Sequence, residues 1–158
     1  MVVVSLVYLA VQVRQNTESI RAENFARVLD RISATQSALS RDPELSNLHA
    51  RGVIDVGLLT PEERIRFTWW FVEAFGAFEF IFHQAESGAL SEEIWARWAS
   101  TIRWWLSYPG VRDWWQANPT VFSDSFTAFV ESELPRAERD PARDARWQDF
   151  LTRAQTHG

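Results

Sequence analysis

The stretch PEERIRFTWWFVEAFGAFEFIFHQAES, Pro61 to Ser87, decides how this chain folds. Thr60 ahead of it offers a hydroxyl to an early backbone N–H, Pro61 presets the first helical φ, and Glu63 completes a capping box. Gly88 supplies the stop. Between these signals FTWWFVEAFGAFEFIF, Phe67 to Phe82, is apolar nearly all round. A helix of that kind is either a membrane span or the buried hub of a bundle. Glu73 and Glu79 select the hub, because an acid near a bilayer centre costs roughly 2.5–3.5 kcal/mol.

Working outward, the same cap-plus-proline device recurs at Asp42-Pro43, Asn118-Pro119 and Asp140-Pro141, each predicting a helix start. Upstream, Phe25, Val28, Leu29, Ile32 and Leu39 share one face at helical spacing. No breaker precedes Asp42-Pro43, so one helix is predicted from about residue 1 to about residue 40, roughly 60 Å long. Downstream, Ser91-Glu92-Glu93 opens a helix whose stripe is Ile94, Trp95, Trp98, Ile102, Trp105 and Leu106. A short helix after Pro109-Gly110 carries Val111, Trp114 and Trp115. The next buries Phe122, Phe126, Phe129 and Val130, and a last one, about residues 141 to 154, has Trp147, Phe150 and Leu151 as its edge. No alternating β-type run is present. The predicted class is all-α, a long N-terminal helix packed with about five or six further helices. Residues 1–15 form an apolar anchor segment and residues 16–158 a single helical domain.

The composition narrows function by exclusion. The chain has 158 residues, net charge -5, nine Trp, eleven Phe and no Cys. Thiolate chemistry, disulfides and Cys-based metal sites are therefore excluded. All sixteen basic residues are Arg. This reads either as the base composition of the genome or as Arg stacked on Trp, with Arg66 beside Trp69 and Trp70 and Arg112 beside Trp115. An acidic chain with scattered Arg is a poor nucleic-acid binder, and no nucleic-acid partner is expected. GVIDVG, Gly52 to Gly57, has P-loop glycine spacing, but Leu58 and Leu59 stand where Lys and Ser/Thr are needed.

MVVVSLVYLAVQV, Met1 to Val13, carries no charge. A signal peptide wants a basic lead and a small-residue cleavage site, and neither is here. A span needs about 20 apolar residues, so this segment is too short alone. It is expected to be half-inserted, covered by a partner, or the trailing part of a longer span. The last is favoured, because Val2, Val3 and Val4 without a polar cap look like the interior of a helix. Val2, Val3, Val4, Leu6, Val7, Tyr8, Leu9 and Val11 are the anchor candidates, with membrane lipid as their partner. Arg14, Arg21, Arg27 and Arg31 on the following turns favour a cytoplasmic domain.

SLVYLAVQVRQNT (Ser5 to Thr17), GALSEEIWARW (Gly88 to Trp98), PGVRDWW (Pro109 to Trp115) and FSDSFTAFVESEL (Phe122 to Leu134) together resemble a group of uncharacterised bacterial proteins. Those have one N-terminal transmembrane helix followed by a small, Trp-rich helical domain. The resemblance implies a membrane-tethered helical protein without assigned activity or catalytic residues. Members of that group usually carry more apolar sequence upstream, so Met1 is expected to be an internal or misplaced start.

Two constellations remain. Glu79, His83 and Glu86 share one face of the hub helix, and a carboxylate–imidazole cluster is able to hold a metal or share a proton. A di-iron bundle needs Glu-x-x-His twice, whereas His83-Gln84-Ala85-Glu86 runs in reverse and occurs once. The expected role is ion pairing near the helix end, with no cofactor. The paired tryptophans are the second. Adjacent helical residues point about 100° apart, so both members of a pair rarely fit one core stripe. Trp104, Trp114, Trp115 and Arg112 are therefore the interaction candidates. The expected function is a non-catalytic, membrane-tethered interaction module or accessory subunit. The alternatives are a bundle binding a small apolar ligand as a sensor and, last, a metal-dependent enzyme using Glu79, His83 and Glu86.

Overall fold

The computed structural model describes residues 2–138, 141, 142, 145 and 146, and for residues 2–6, 18 and 119 the backbone alone. Asp140, Trp147, Phe150 and Leu151, invoked above for a last helix, lie outside the described residues. Six α-helices carry the fold: α1 (Val2–Arg41), α2 (Pro43–Gly52), α3 (Pro61–Glu86), α4 (Glu92–Leu106), α5 (Pro109–Ala117) and α6 (Asp124–Glu133). Single 3-10 turns occupy Val56–Leu58, Pro119–Val121 and Leu134–Arg136. Among the described residues there is no strand, so the all-α class is as expected.

Local chemistry sets most helix ends. Asp42 accepts the backbone N–H groups of Glu44 and Leu45 at 3.0 and 3.1 Å and opens α2. Thr60 accepts from Glu63 N–H at 3.3 Å, and the Glu63 carboxylate accepts from Thr60 N–H at 2.9 Å, a complete capping box for α3. The hydrogen bond from Arg51, with that from the Thr60 backbone, holds the Glu63 carboxyl below its usual pKa. At the far end Gly88, with φ +70°, takes the left-handed conformation. Gly88 N–H bonds Ala85 C=O and Ala89 N–H bonds Gln84 C=O, closing α3 in a Schellman motif. One expected start differs. Asn118 does not cap a helix; its amide donates to Trp114 C=O at 2.7 Å and ends α5, and α6 begins only at Asp124.

The core is a pile of rings around α3. Phe67, Phe71, Phe75, Phe78 and Phe82 are all buried on one face. Phe71 touches Trp105 of α4 at 5.4 Å and Trp114 of α5 at 5.1 Å between ring centroids. Phe75 meets Trp115 at 5.5 Å, and Phe82 meets Phe126 and Phe129 of α6 at 5.6 and 5.2 Å. Pairs of this kind contribute about 0.5–1.5 kcal/mol each beyond their burial. Against the first turns of α3, His49 of α2 is buried among Phe67, Trp70 and Phe71, with Trp70 edge-on at 4.1 Å. Burial without a charge partner lowers the His49 pKa from 6.5 to about 4.

Two glycines let α2 and α5 touch backbone to backbone. Gly110 N–H bonds Val53 C=O at 3.0 Å. A Cβ built at Gly110 would lie 1.8 Å from the Gly52 carbonyl oxygen, and one at Gly52 would lie 2.5 Å from the Phe67 ring. Gly110→Ala is therefore expected to destabilise by about 3 kcal/mol or more, read as a lower urea midpoint; an unchanged midpoint would contradict this contact.

His49 makes stability depend on pH. Its folded pKa lies below the unfolded value, so between pH 6.5 and about 4 the unfolded chain binds the extra proton. Its contribution is complete above pH 6.5 and is lost as pH falls towards 4, up to roughly 3 kcal/mol. His49→Leu is expected to flatten the stability–pH curve across that window, measured by urea denaturation at stepped pH.

Candidate interaction surfaces

α1 is one unbroken helix of 40 residues without Gly or Pro. Every described side chain from Val7 to Asn24 is exposed, and Phe25 is the first to gain cover. The ties to the body run antiparallel along α3: Arg31 to Glu73 at 3.1 Å, Thr35 C=O to the Trp70 indole at 3.5 Å, and Asp42 to Arg66 at 3.5 Å. The helix from residue 2 to residue 24 is roughly 35 Å long, and its described side chains are uncovered. Within this stretch Val7, Tyr8, Leu9, Val11 and Val13 are 48–63% exposed and point in several directions. The side chains of Val2, Val3, Val4 and Leu6 lie outside the described residues. Among the described residues no helix is long and apolar enough to cross a membrane.

Where α1 joins α3 the seam stays open. No described α1 side chain is fully buried, and the predicted stripe of Phe25, Val28, Ile32 and Leu39 is only half covered, with Leu29 turned out. Beside the seam runs a groove of about 520 Å³ lined by Val28, Arg31, Trp69, Val72, Gly76 and Phe80. Trp69 is 68% exposed and Ile65 59%. At Gly76 an added Cβ would meet nothing within 4 Å. On the other flank, the space between Ile32, Trp70, Phe78 and Trp105 is about 30 Å³, a water's volume and no more.

The sequence candidates fall in three places. Trp104 is at the surface, 39% exposed, with its ring against Trp105 at 4.6 Å and Tyr108 at 5.2 Å. Trp114 and Trp115 are not surface residues: both are buried, because α5 is wedged between α3 on one side and Phe122 and Phe126 on the other. Arg112 is likewise a structural tie. Its guanidinium donates to Leu106 C=O at 2.6 Å, to Leu134 C=O at 3.1 Å and to Ala137 C=O, gathering the ends of α4 and α6. Stacking on Trp does not describe Arg66 either, which pairs with Asp42 and Glu44. The exposed member missed by the stripe reading is Trp69. The 100° argument applies to it directly, since Trp70 takes the core position.

Glu79, His83 and Glu86 do come together, around Ser123 at the start of α6. Ser123 N–H donates to Glu79 at 2.7 Å, His83 Nε2 is 3.2 Å from Ser123 Oγ, and His83 Nδ1 is 3.1 Å from Glu86. The trio clasps α6 onto the C-terminal half of α3. Among the described residues no group of three or more His, Asp or Glu is arranged to hold a metal ion. Nearby, the buried Glu133 carboxylate pairs with Arg103 and with Arg136 at 2.8 Å, which neutralises it.

Compared with known proteins, the chain matches no family model, no curated protein and no solved structure.

Removing the Arg112 guanidinium leaves three carbonyls without their common donor. Arg112→Met, which keeps most of the stem, is expected to cost about 2–4 kcal/mol in urea unfolding; a loss under about 0.5 kcal/mol would show that the tie is not made.

Proposed function

We propose that this protein is a non-catalytic helical interaction module held at a membrane by its N-terminal helix, as an accessory subunit of a larger assembly. One observation carries the reading: a stiff helix leaves the body and exposes apolar side chains in several directions between Val7 and Val13. Keeping these five residues in water costs on the order of 5 kcal/mol relative to covering them. Lipid covers a cylinder all round, whereas a groove on another protein covers one face. The polar turns that follow, Arg14 to Asn24, act as a stalk of roughly 16 Å between the bilayer and the body. Their Arg residues favour the cytoplasmic side. The resemblance of SLVYLAVQVRQNT to a membrane-exit segment supports the same placement.

The body suits docking better than chemistry. Its interior is filled by rings, its buried carboxylate is paired, and its surface carries Trp69 and Trp104. Exposed Trp beside Arg anchors many protein interfaces.

Deleting residues 1–13 is expected to move the protein from the membrane pellet to the supernatant while leaving its helical circular dichroism largely intact. A truncated protein that still sediments with membranes would overturn the tether.

A further inference from the structure

The geometry points to Ser123 as an acyl acceptor, a serine hydroxyl that His83 and Glu86 make ready to take an acyl group from a thioester or other activated ester. The inference goes beyond the docking reading and needs neither the tether nor a partner protein. Three side chains form a relay across the junction of α3 and α6. Ser123 Oγ lies 3.2 Å from His83 Nε2, and His83 Nδ1 lies 3.1 Å from the Glu86 carboxylate. A nucleophile, its base and the group that orients the base work together at separations of about 2.6–3.2 Å.

Glu86 is a positioning residue that fixes the tautomer. An ionised carboxylate only accepts hydrogen bonds, so the imidazole proton sits on Nδ1 and Nε2 turns its lone pair to the serine hydroxyl. Ser123 gives up its ordinary role to meet it. Thr60 and Ser91, in the same position ahead of α3 and α4, accept the N–H groups of Glu63 and Ile94 at 3.3 and 3.4 Å. Ser123 stands ahead of α6 and makes no such cap with its side chain. Its own N–H donates to Glu79 at 2.7 Å, which holds the backbone and leaves the hydroxyl to His83. Ser123 is exposed, and the His83 and Glu86 side chains are 43% and 51% exposed, so a donor reaches the hydroxyl from solvent.

In the transfer, Ser123 Oγ bonds to the acyl carbonyl carbon, and the bond from that carbon to the leaving sulfur or oxygen breaks. The hydroxyl proton passes to His83 Nε2 and on to the departing thiolate or phenolate, so no oxidant or cofactor is consumed. Negative charge on the carbonyl oxygen develops beside the first turn of α6, whose leading N–H groups have no partner within the helix. The serine ester left behind has an alkoxide as its leaving group, poorer than a thiolate or phenolate, and outlasts the step that made it. The event therefore modifies the module once and is not a turnover reaction. It also removes the hydroxyl proton that Ser123 shares with His83, leaving the Glu79 bond to hold the start of α6.

The chain has no Lys and no Cys, which keeps background acylation low. Full-length protein in mild detergent is treated with p-nitrophenyl acetate near neutral pH. A burst of about one nitrophenolate per chain is expected, with the acetyl group on Ser123 and exposed Ser125 labelled about tenfold more slowly or less. His83→Ala is expected to slow the burst about a hundredfold or more, and added free imidazole to restore part of it, which a merely structural role would not allow. Glu86→Gln keeps the side-chain bulk and is expected to slow it about tenfold or more. Ser123→Ala should lose both burst and label, and circular dichroism checks that all three variants keep their helices. Wild-type protein whose Ser123 is labelled no faster than Ser125, or a burst that His83→Ala leaves unchanged, would overturn the inference and leave the trio as a clasp alone. Sedimentation with membranes reads the tether by itself, so the two readings fail separately.

Discussion

The contacts between the phenylalanines of α3 and the tryptophans facing them govern this molecule. Phe71 lies against Trp105 and Trp114, Phe75 against Trp114 and Trp115, and Phe82 against Trp95 and Phe129. Rings of that size leave no room for a second polar layer, so α2, α4, α5 and α6 are placed by which ring each has to cover. α4 and α5 close one side, α6 and its preceding turn another, and α2 brings His49 to the N-terminal end. The rings take precedence even over hydrogen bonding. Among the described residues neither the Trp114 nor the Trp115 indole N–H has an acceptor, and His49 Nε2 has none. Each such group costs about 1–3 kcal/mol, which the surrounding burial has to exceed.

The polar ties sit at the rim, where helix ends converge. Arg112 collects carbonyls from two elements, Glu133 draws in Arg103 and Arg136, and Glu79 with His83 holds Ser123. None adds an apolar contact; all fix where a helix begins or stops. The division is physical. Area burial is non-directional and sets how much is covered, whereas hydrogen bonds set the register of what covers it. Among the described residues α1 escapes both constraints over most of its length, and one flank of α3 is left partly uncovered.

Features whose causes lie within a few residues of each other were legible in the sequence. The capping box at Thr60, the Asp42 cap, the stop at Gly88 and the unbroken length of α1 all follow from local chemistry. The hub reading of α3 also followed, because two acids in an apolar helix exclude lipid without reference to any neighbour. Contacts between distant positions were not legible. Nothing near Gly110 announces Gly52, and nothing near Arg112 announces the carbonyls of Leu134 and Ala137. Trp114 and Trp115 show the same limit. The geometric rule that one of two adjacent rings faces away from a single stripe is sound, but α5 is covered from two sides, so both directions are inward. For Trp69 and Trp70 the rule holds, since α3 is covered on the Trp70 side and bare on the other. Asn118-Pro119 misled because the amide turned back to the helix already made rather than forward to the next.

The unsupported length of α1 has a mechanical consequence. A helix with no Gly or Pro bends little, so the first 23 described residues behave as a lever rather than a string. A tilt of about 10° at its tip swings the attached body sideways by roughly 6 Å over a 35 Å arm. The hinge of that lever is the half-covered seam with α3. Force applied at the N-terminus is thus delivered first to the partly covered Phe25 and Val28, ahead of the Arg31–Glu73 contact.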